Sequence, residues 1–367
     1  MSEKKGPRQS LKRFASRFRS ESKLLRDGTI DPGESVGGAS GPSNAATSTT
    51  ASVINPTPSP DTPKTVVTPS DSQLLGEVSP TGAHTTAARS ASPQSRFGLF
   101  LLTRALSEEE LRQGGVDIVA IHGITGDYER TWTHPEGALW LKDFLPNDLS
   151  VPTRVFSFGY DAQVKFSVSK ARLDDFARSL LQALNRVRRG KDLQSRALVF
   201  ICHSMGGLVI KQALVVARLD SNLYPGVQSS TKGIVFLSTP HRGSSSTDWP
   251  ITLGKALNAI LKFTPSSVGS TRTDLLETLK TNSDELQRLA TDFRNQAVGI
   301  KIVSCYEMNI TPPLKALIVN KQTGTLDFPG EAHVPMEGCN HNEVCRFSAQ
   351  EDTNYQNVLT EILELVG

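Results

Sequence analysis

The chain has 367 residues, 37% of them hydrophobic and 21% charged, with a formal net charge of +3. That charge is lopsided: residues 1–27 carry nine Lys or Arg against Glu3, Glu21 and Asp27, a net +6, which leaves −3 for the rest. A mildly acidic body excludes nucleic acid as the expected partner, because that partner needs a basic footprint on a folded surface.

Within residues 1–27, Leu11, Phe14, Phe18 and Leu25 fall at helical spacing among arginines, lysines and serines. Three readings stay open: a solvated charged tail, a helix lying on anionic lipid, or a mitochondrial targeting segment. No apolar core follows it, so a secretory signal is not expected, and no apolar run reaches the roughly 18 residues of a membrane span. Residues 28–96 are dominated by Ser, Thr, Pro, Ala and Gly, and no aromatic residue occurs between Phe18 and Phe97. Such a stretch buries too little apolar area to offset an ordering cost of about 1–2 kcal/mol per backbone residue, so a disordered linker is expected.

From residue 97 to 367 the pattern is that of one α/β domain. Apolar runs predict strands at 97–102, 116–123, 154–159, 197–203, 233–239, 300–306 and 316–319. Several are apolar throughout, as strands covered on both faces should be. Helical periods lie between them, at about 171–189, after Ser204, and around Tyr355, Val358, Leu359 and Ile362. Alternating strands and helices imply a mainly parallel sheet with helices on both faces and a binding site at the carboxyl ends of the strands. An insertion at about 241–298 breaks the alternation, and its amphipathic runs read as a helical lid or as an ordinary packed excursion. The cysteines, Cys202, Cys305, Cys339 and Cys345, are too few for a disulfide scaffold in a chain this long, which suits a reducing, intracellular compartment and not secretion.

The stretch "LVFICHSMGGLVIKQALVVA" carries the chemistry. In a G-x-S-x-G elbow the serine sits on a strained strand-to-helix turn, and small residues flank it so that strand and helix can approach. Here the pentad is Cys202-His203-Ser204-Met205-Gly206, followed by Gly207, with cysteine in place of the first glycine. Ser204 is the candidate nucleophile, against the plainer reading of an N-cap serine. A serine needs a base, and the base needs an acid to orient it. Glu307 directly follows a predicted strand and His341 lies before the last helix, giving the order Ser, acid, His; Asp327 and His333 are the competing acid and base. The oxyanion needs two backbone N–H groups. Met205, after the serine, is one candidate donor, and Ile124, after the His122-Gly123 turn, is the other. Cys339, His341 and Cys345, with His333 upstream, could alternatively ligate zinc, but their spacing matches no common zinc pattern, so no metal and no cofactor are expected.

The blocks "VDIVAIHGITGDYERTW", "RVFSFGYDA", "LVFICHSMGGLVIKQAL", "GIVFLSTPHRGSS", "IVSCYE" and "NHNEVCRFSAQEDTNY", in that order, resemble lipase-like α/β hydrolases of the serine active site-containing protein group. These are related to glycosylphosphatidylinositol inositol-deacylases and to fungal hydrolases that precede NACHT-type NTPase modules. The resemblance implies an α/β-hydrolase fold, Ser204, Glu307 and His341 as a triad, and ester hydrolysis or acyl transfer on a lipid or other apolar ester. It covers about residues 97–366 and further implies that some members associate with mitochondrial or endoplasmic-reticulum membrane, so a cytosolic protein or one peripherally attached to such a membrane is expected, residues 1–27 being the candidate contact by their own charge and spacing. The rival expectation is a signalling or scaffolding module that keeps the fold with little or no turnover.

Overall fold

A computed structural model describes residues 96–162, 170–241, 283–312 and 314–367. The basic segment 1–27, the linker up to residue 95 and the greater part of the insertion, 242–282, lie outside the described residues. Seven strands form one sheet: β1 (Gly98–Leu101), β2 (Val116–Ile121), β3 (Thr153–Gly159), β4 (Ala197–His203), β5 (Thr231–Leu237), β6 (Lys301–Glu307) and β7 (Ala332–Met336). Their order is β1-β3-β2-β4-β5-β6-β7. Only β1 is antiparallel, pairing with β3; every other neighbour runs parallel.

Side chains alternate across a strand, and here both faces are covered. Val119, Ile121, Phe200, Cys202 and Phe236 pack on one face against the long helices α1 (Lys170–Val187), α2 (Gly206–Leu219) and α3 (Ser283–Gln296). Ile118, Ala120, Val199, Ile201 and Val235 pack on the other, against Trp140, Phe347 and helix α4 (Thr353–Val366). This is why β2, β3 and β4 read as continuous apolar runs. Helix α2 lies deep in the first layer, buried from Gly206 to Ala217. In the described part of the insertion, α3 packs its Leu289 and Phe293, and Ala297 just after it, into that same layer beside α2.

One expected strand is not there. Residues 316–319 form a loop, with Ile318 and Val319 buried, and the seventh strand is instead β7 at 332–336. Two physical reasons explain the exchange. The run at 316–319 is apolar because its second half, Ile318 and Val319, is buried, not because it pairs. The true edge strand, Ala-His-Val-Pro-Met, alternates in exposure and carries Pro335, a residue that cannot donate to a ladder and is tolerated only at an edge.

At the amino ends of the central strands, Asp117 is fully buried among three arginines. Arg154 grips it with two hydrogen bonds of 2.8 and 2.7 Å, Arg196 Nε donates to it at 3.0 Å, and Arg188 Nη1 also donates. The guanidiniums also donate to the carbonyls of Val187, Gln194, Arg196, Gly114 and Pro152 and to the Ser230 hydroxyl. Burial lowers the pKa of Arg188 and Arg196 while the Asp117 carboxylate opposes that shift. Asp117→Ala leaves three buried cations without their anion, and unfolding midpoints in urea should report a loss of about 3–5 kcal/mol.

Candidate active site

The parallel order β3-β2-β4 means that the chain first steps to one side of β2 and then to the other, so the crevice at the carboxyl ends of β2 and β4 is a topological switch point. Gly123 and Ser204 stand on its two sides. Ser204 has φ +52°, in the left-handed region that a non-glycine residue adopts only under constraint. Its N–H donates to the Leu237 carbonyl at 3.0 Å and its carbonyl accepts from Thr239 Oγ1 at 3.0 Å, so β5 holds the turn from both ends.

The close contacts explain which small residues the elbow needs. A Cβ on Gly206 would lie 2.2 Å from the Ile121 carbonyl oxygen, one on Gly207 would lie 2.3 Å from Thr239 Oγ1, and one on Gly123 would lie 2.8 Å from the Ser204 Cβ. Position 202 is different. Cys202 is a strand residue paired with Ile121 and Phe236 and buried against the helical layer, so a side chain there is accommodated and the glycine is dispensable.

Ser204, His341 and Glu307 are all buried and form one continuous chain of hydrogen bonds. His341 Nε2 lies 3.1 Å from Ser204 Oγ, and His341 Nδ1 lies 2.8 Å from Glu307 Oε2. With the carboxylate accepting from Nδ1–H, Nε2 carries the free lone pair that faces the hydroxyl. Glu307 ends β6 and its other oxygen, Oε1, accepts from the Val319 N–H at 2.9 Å and from the Ile318 N–H. The loop that was expected to be a strand thus holds the Glu307 carboxylate.

The competing residues sit elsewhere. Asp327 is exposed on a turn with φ +49°, its carbonyl accepting from Arg294. His333 is on edge strand β7, in register with Ser304, with Nε2 3.4 Å from Glu331 Oε2. The zinc candidates have separate partners: His333 and His341 are engaged as above, Cys339 Sγ accepts from Asn354 Nδ2 at 3.3 Å, and Cys345 Sγ donates to the Thr131 carbonyl at 3.3 Å.

Ile124 and Met205 are buried beside the serine turn, and neither backbone N–H has an acceptor among the described residues. The loop carrying Ile124 is closed on one carbonyl: the Gly123 oxygen accepts from His122 Nδ1 at 2.9 Å and from the Gly126 N–H at 3.1 Å. Tyr160, which sequence reasoning gave no role, stacks on His122 at 4.4 Å between ring centroids and donates its hydroxyl to the His122 carbonyl at 2.7 Å. Its position directly after β3 in "FSFGYDA" was the available signal.

His203 Nε2 lies 2.9 Å from the carbonyl oxygen of His341, and the His341 N–H donates to Thr311 Oγ1 at 3.2 Å. Beneath the turn, Lys211 Nζ lies 2.6 Å from His241 Nδ1 and 5.5 Å from the ring centres of Phe236 and Phe293, and burial lowers its pKa to about 7. Lys211 and His241 lie in two of the blocks that carry the resemblance, but the sequence reading assigned no role to either of them or to Thr311.

A left-handed serine between β4 and α2, an acid at the end of β6 and a histidine before the last helix, set on this strand order, define the α/β-hydrolase fold. No family model matches the sequence. The chain is 25% identical over 275 residues to Protein SERAC1 of Danio rerio and 26% identical over 270 residues to Protein SERAC1 of Homo sapiens, in each case over 68% of this chain and 39% of the relative. The match therefore spans well under half the length of those relatives. Among solved structures, a carboxylesterase of Nitrososphaera gargenis is 16% identical with a TM-score of 0.36, covering 68% of this chain and 90% of its own. Carboxylesterase CesB of Bacillus subtilis is 11% identical with a TM-score of 0.37, covering 74% and 88%.

Burial lowers the pKa of His122 to about 4 and that of His203 to about 3, so both rings are neutral in the folded protein well below their ordinary value of 6.5. An unfolded chain takes up protons on these groups first. The stability these two groups contribute is therefore fully present above pH 6.5 and is lost as the pH falls from 6.5 toward 4 and then 3. Urea midpoints measured across that window should decline, and a variant carrying both His122→Gln and His203→Gln should show a shallower decline.

Proposed function

We propose that this chain is a serine ester hydrolase or acyltransferase acting on a lipid-like, apolar ester. The observation that carries the reading is the unbroken hydrogen-bond chain from Ser204 Oγ through the His341 imidazole to Glu307. Ser204 Oγ attacks the ester carbonyl carbon while His341 Nε2 takes its proton, and Glu307 stabilises the imidazolium that forms. The carbonyl oxygen becomes an oxyanion received by the N–H groups of Ile124 and Met205, each such donor being worth about 2.7–4 kcal/mol in the transition state. The tetrahedral intermediate then expels the alcohol, which leaves with the proton from His341. Water, or a second alcohol in the transfer case, repeats the sequence on the acyl-enzyme and frees the serine.

Exposed apolar side chains beside the site support an apolar substrate: Met308 follows Glu307, and Ile310 precedes the Thr311 that holds His341, at 43% and 45% exposure. No helix among the described residues is long and apolar enough to cross a membrane. The net +6 of residues 1–27, with Leu11, Phe14, Phe18 and Leu25 at helical spacing, supports peripheral contact with an anionic membrane surface such as that of mitochondria or endoplasmic reticulum.

A fluorophosphonate probe should label the wild-type chain covalently and should fail to label Ser204→Ala. A folded wild type that never labels points to the scaffolding alternative and ends the catalytic reading. Residues 1–27 fused to a fluorescent reporter should concentrate it on membranes; an evenly cytosolic signal rejects the membrane contact.

A further inference from the structure

His203 is buried, immediately precedes the candidate nucleophile, and is given no role by the three-residue scheme above. Its Nε2 approaches the main-chain carbonyl of His341 to 2.9 Å. A carbonyl oxygen only accepts, so His203 is the Nε2–H tautomer and donates. The ring is confined on its other edge too. A Cβ on Gly123 would lie 3.4 Å from His203 Nδ1, so the imidazole lies between the loop that carries Ile124 and the loop that carries His341. The ring centres of His203 and His341 are 5.1 Å apart. Because burial keeps His203 neutral, it can stand this close to an imidazole that must become cationic without repelling it.

The His341 backbone is thereby held at both of its polar groups. Its N–H donates to Thr311 and its carbonyl accepts from His203. The second of these bonds differs in kind from the first, since it ties the base to the residue covalently joined to Ser204. A shift of β4 relative to the 340–347 loop would otherwise change the Ser204–His341 distance directly.

We propose that His203 is a positioning residue for His341, registering base to nucleophile by a hydrogen bond from its imidazole to the His341 main-chain carbonyl. The proposal rests on the catalytic reading above for its kinetic consequence, but not for its structural one. The base is aimed from behind as well as by Glu307. Loss of the bond lets the imidazole drift from both the hydroxyl and the carboxylate. The first drift slows attack. The second loosens the carboxylate's hold on the orientation of the ring.

Two amide replacements separate reach from chemistry. In His203→Gln the side-chain NH2 extends about as far as Nε2, whereas in His203→Asn it stops near the place of Nδ1 and cannot span to the carbonyl. His203→Leu is a second variant without a donor, should Asn prevent folding. The full chain is used throughout, and the rate of fluorophosphonate labelling is followed. Asn and Leu should label about 10- to 100-fold more slowly than wild type, the scale of a misplacement of about 1 Å. Gln should restore the rate. Labelling of Asn and Leu at the wild-type rate overturns the proposal, as does a Gln variant that behaves like Asn.

A second measurement does not need activity. The downfield proton NMR signal of His341 Nδ1–H against Glu307 should persist in wild type and Gln and be lost or shifted in Asn and Leu. If the wild type never labels but this signal follows the donor at 203, the hydrolase reading falls and the positioning role stands. If the wild type labels while the signal is the same in all four proteins, the positioning role falls and the hydrolase reading stands.

Discussion

The close approach of two strand ends is the constraint on which the rest of the site depends. Ser204 can project from a left-handed turn only because β2, α2 and β5 crowd it from three sides, and they can crowd it only where no Cβ intervenes at Gly123, Gly206 and Gly207. The strain at Ser204 is one of a group: Thr125 at φ +56° and Ser238 at φ +45° follow the neighbouring strands β2 and β5. Backbone strain of this sort persists only where surrounding structure overdetermines it. Here the surroundings are a sheet packed on both faces, whose central strands have no freedom to relax.

Polar groups are divided between the two ends of that sheet. At the amino ends, charge is buried as charge: one carboxylate and three guanidiniums, their remaining donors placed on main-chain carbonyls. At the carboxyl ends the buried Glu307 is joined by His122 and His203, which are buried uncharged, each using a ring N–H to hold a main-chain carbonyl. The difference matters for chemistry at Ser204. Neutral rings give directional hydrogen bonds without adding positive charge beside the imidazolium that the proposed mechanism forms at His341.

Continuous apolar runs located the six strands β1 to β6, because burial on both faces leaves a strong and simple pattern in the sequence. The same criterion misplaced the seventh. An edge strand covered on one side alternates, and Pro335 interrupts it, whereas the 316–319 loop imitates a buried strand by being apolar. At the site, residues marked by position in a motif, Ser204, Glu307 and His341, were legible and are brought within hydrogen-bonding distance. Residues that act through the main chain were not. Thr311, the amides of Ile318 and Val319, and the carbonyl that His203 holds are defined by tertiary approach, and no local spacing encodes them.

The anchoring of Glu307 has an evolutionary corollary. Its Oε1 is held by peptide N–H groups, which every residue except proline supplies, so side-chain identity at 318 and 319 is free to drift provided that the loop stays apolar enough to remain buried. What cannot drift is the contour length of chain from Glu307 to Val319. Selection on that segment should therefore tolerate exchanges of one apolar residue for another and act most severely on insertions and deletions, which would withdraw the two amides together.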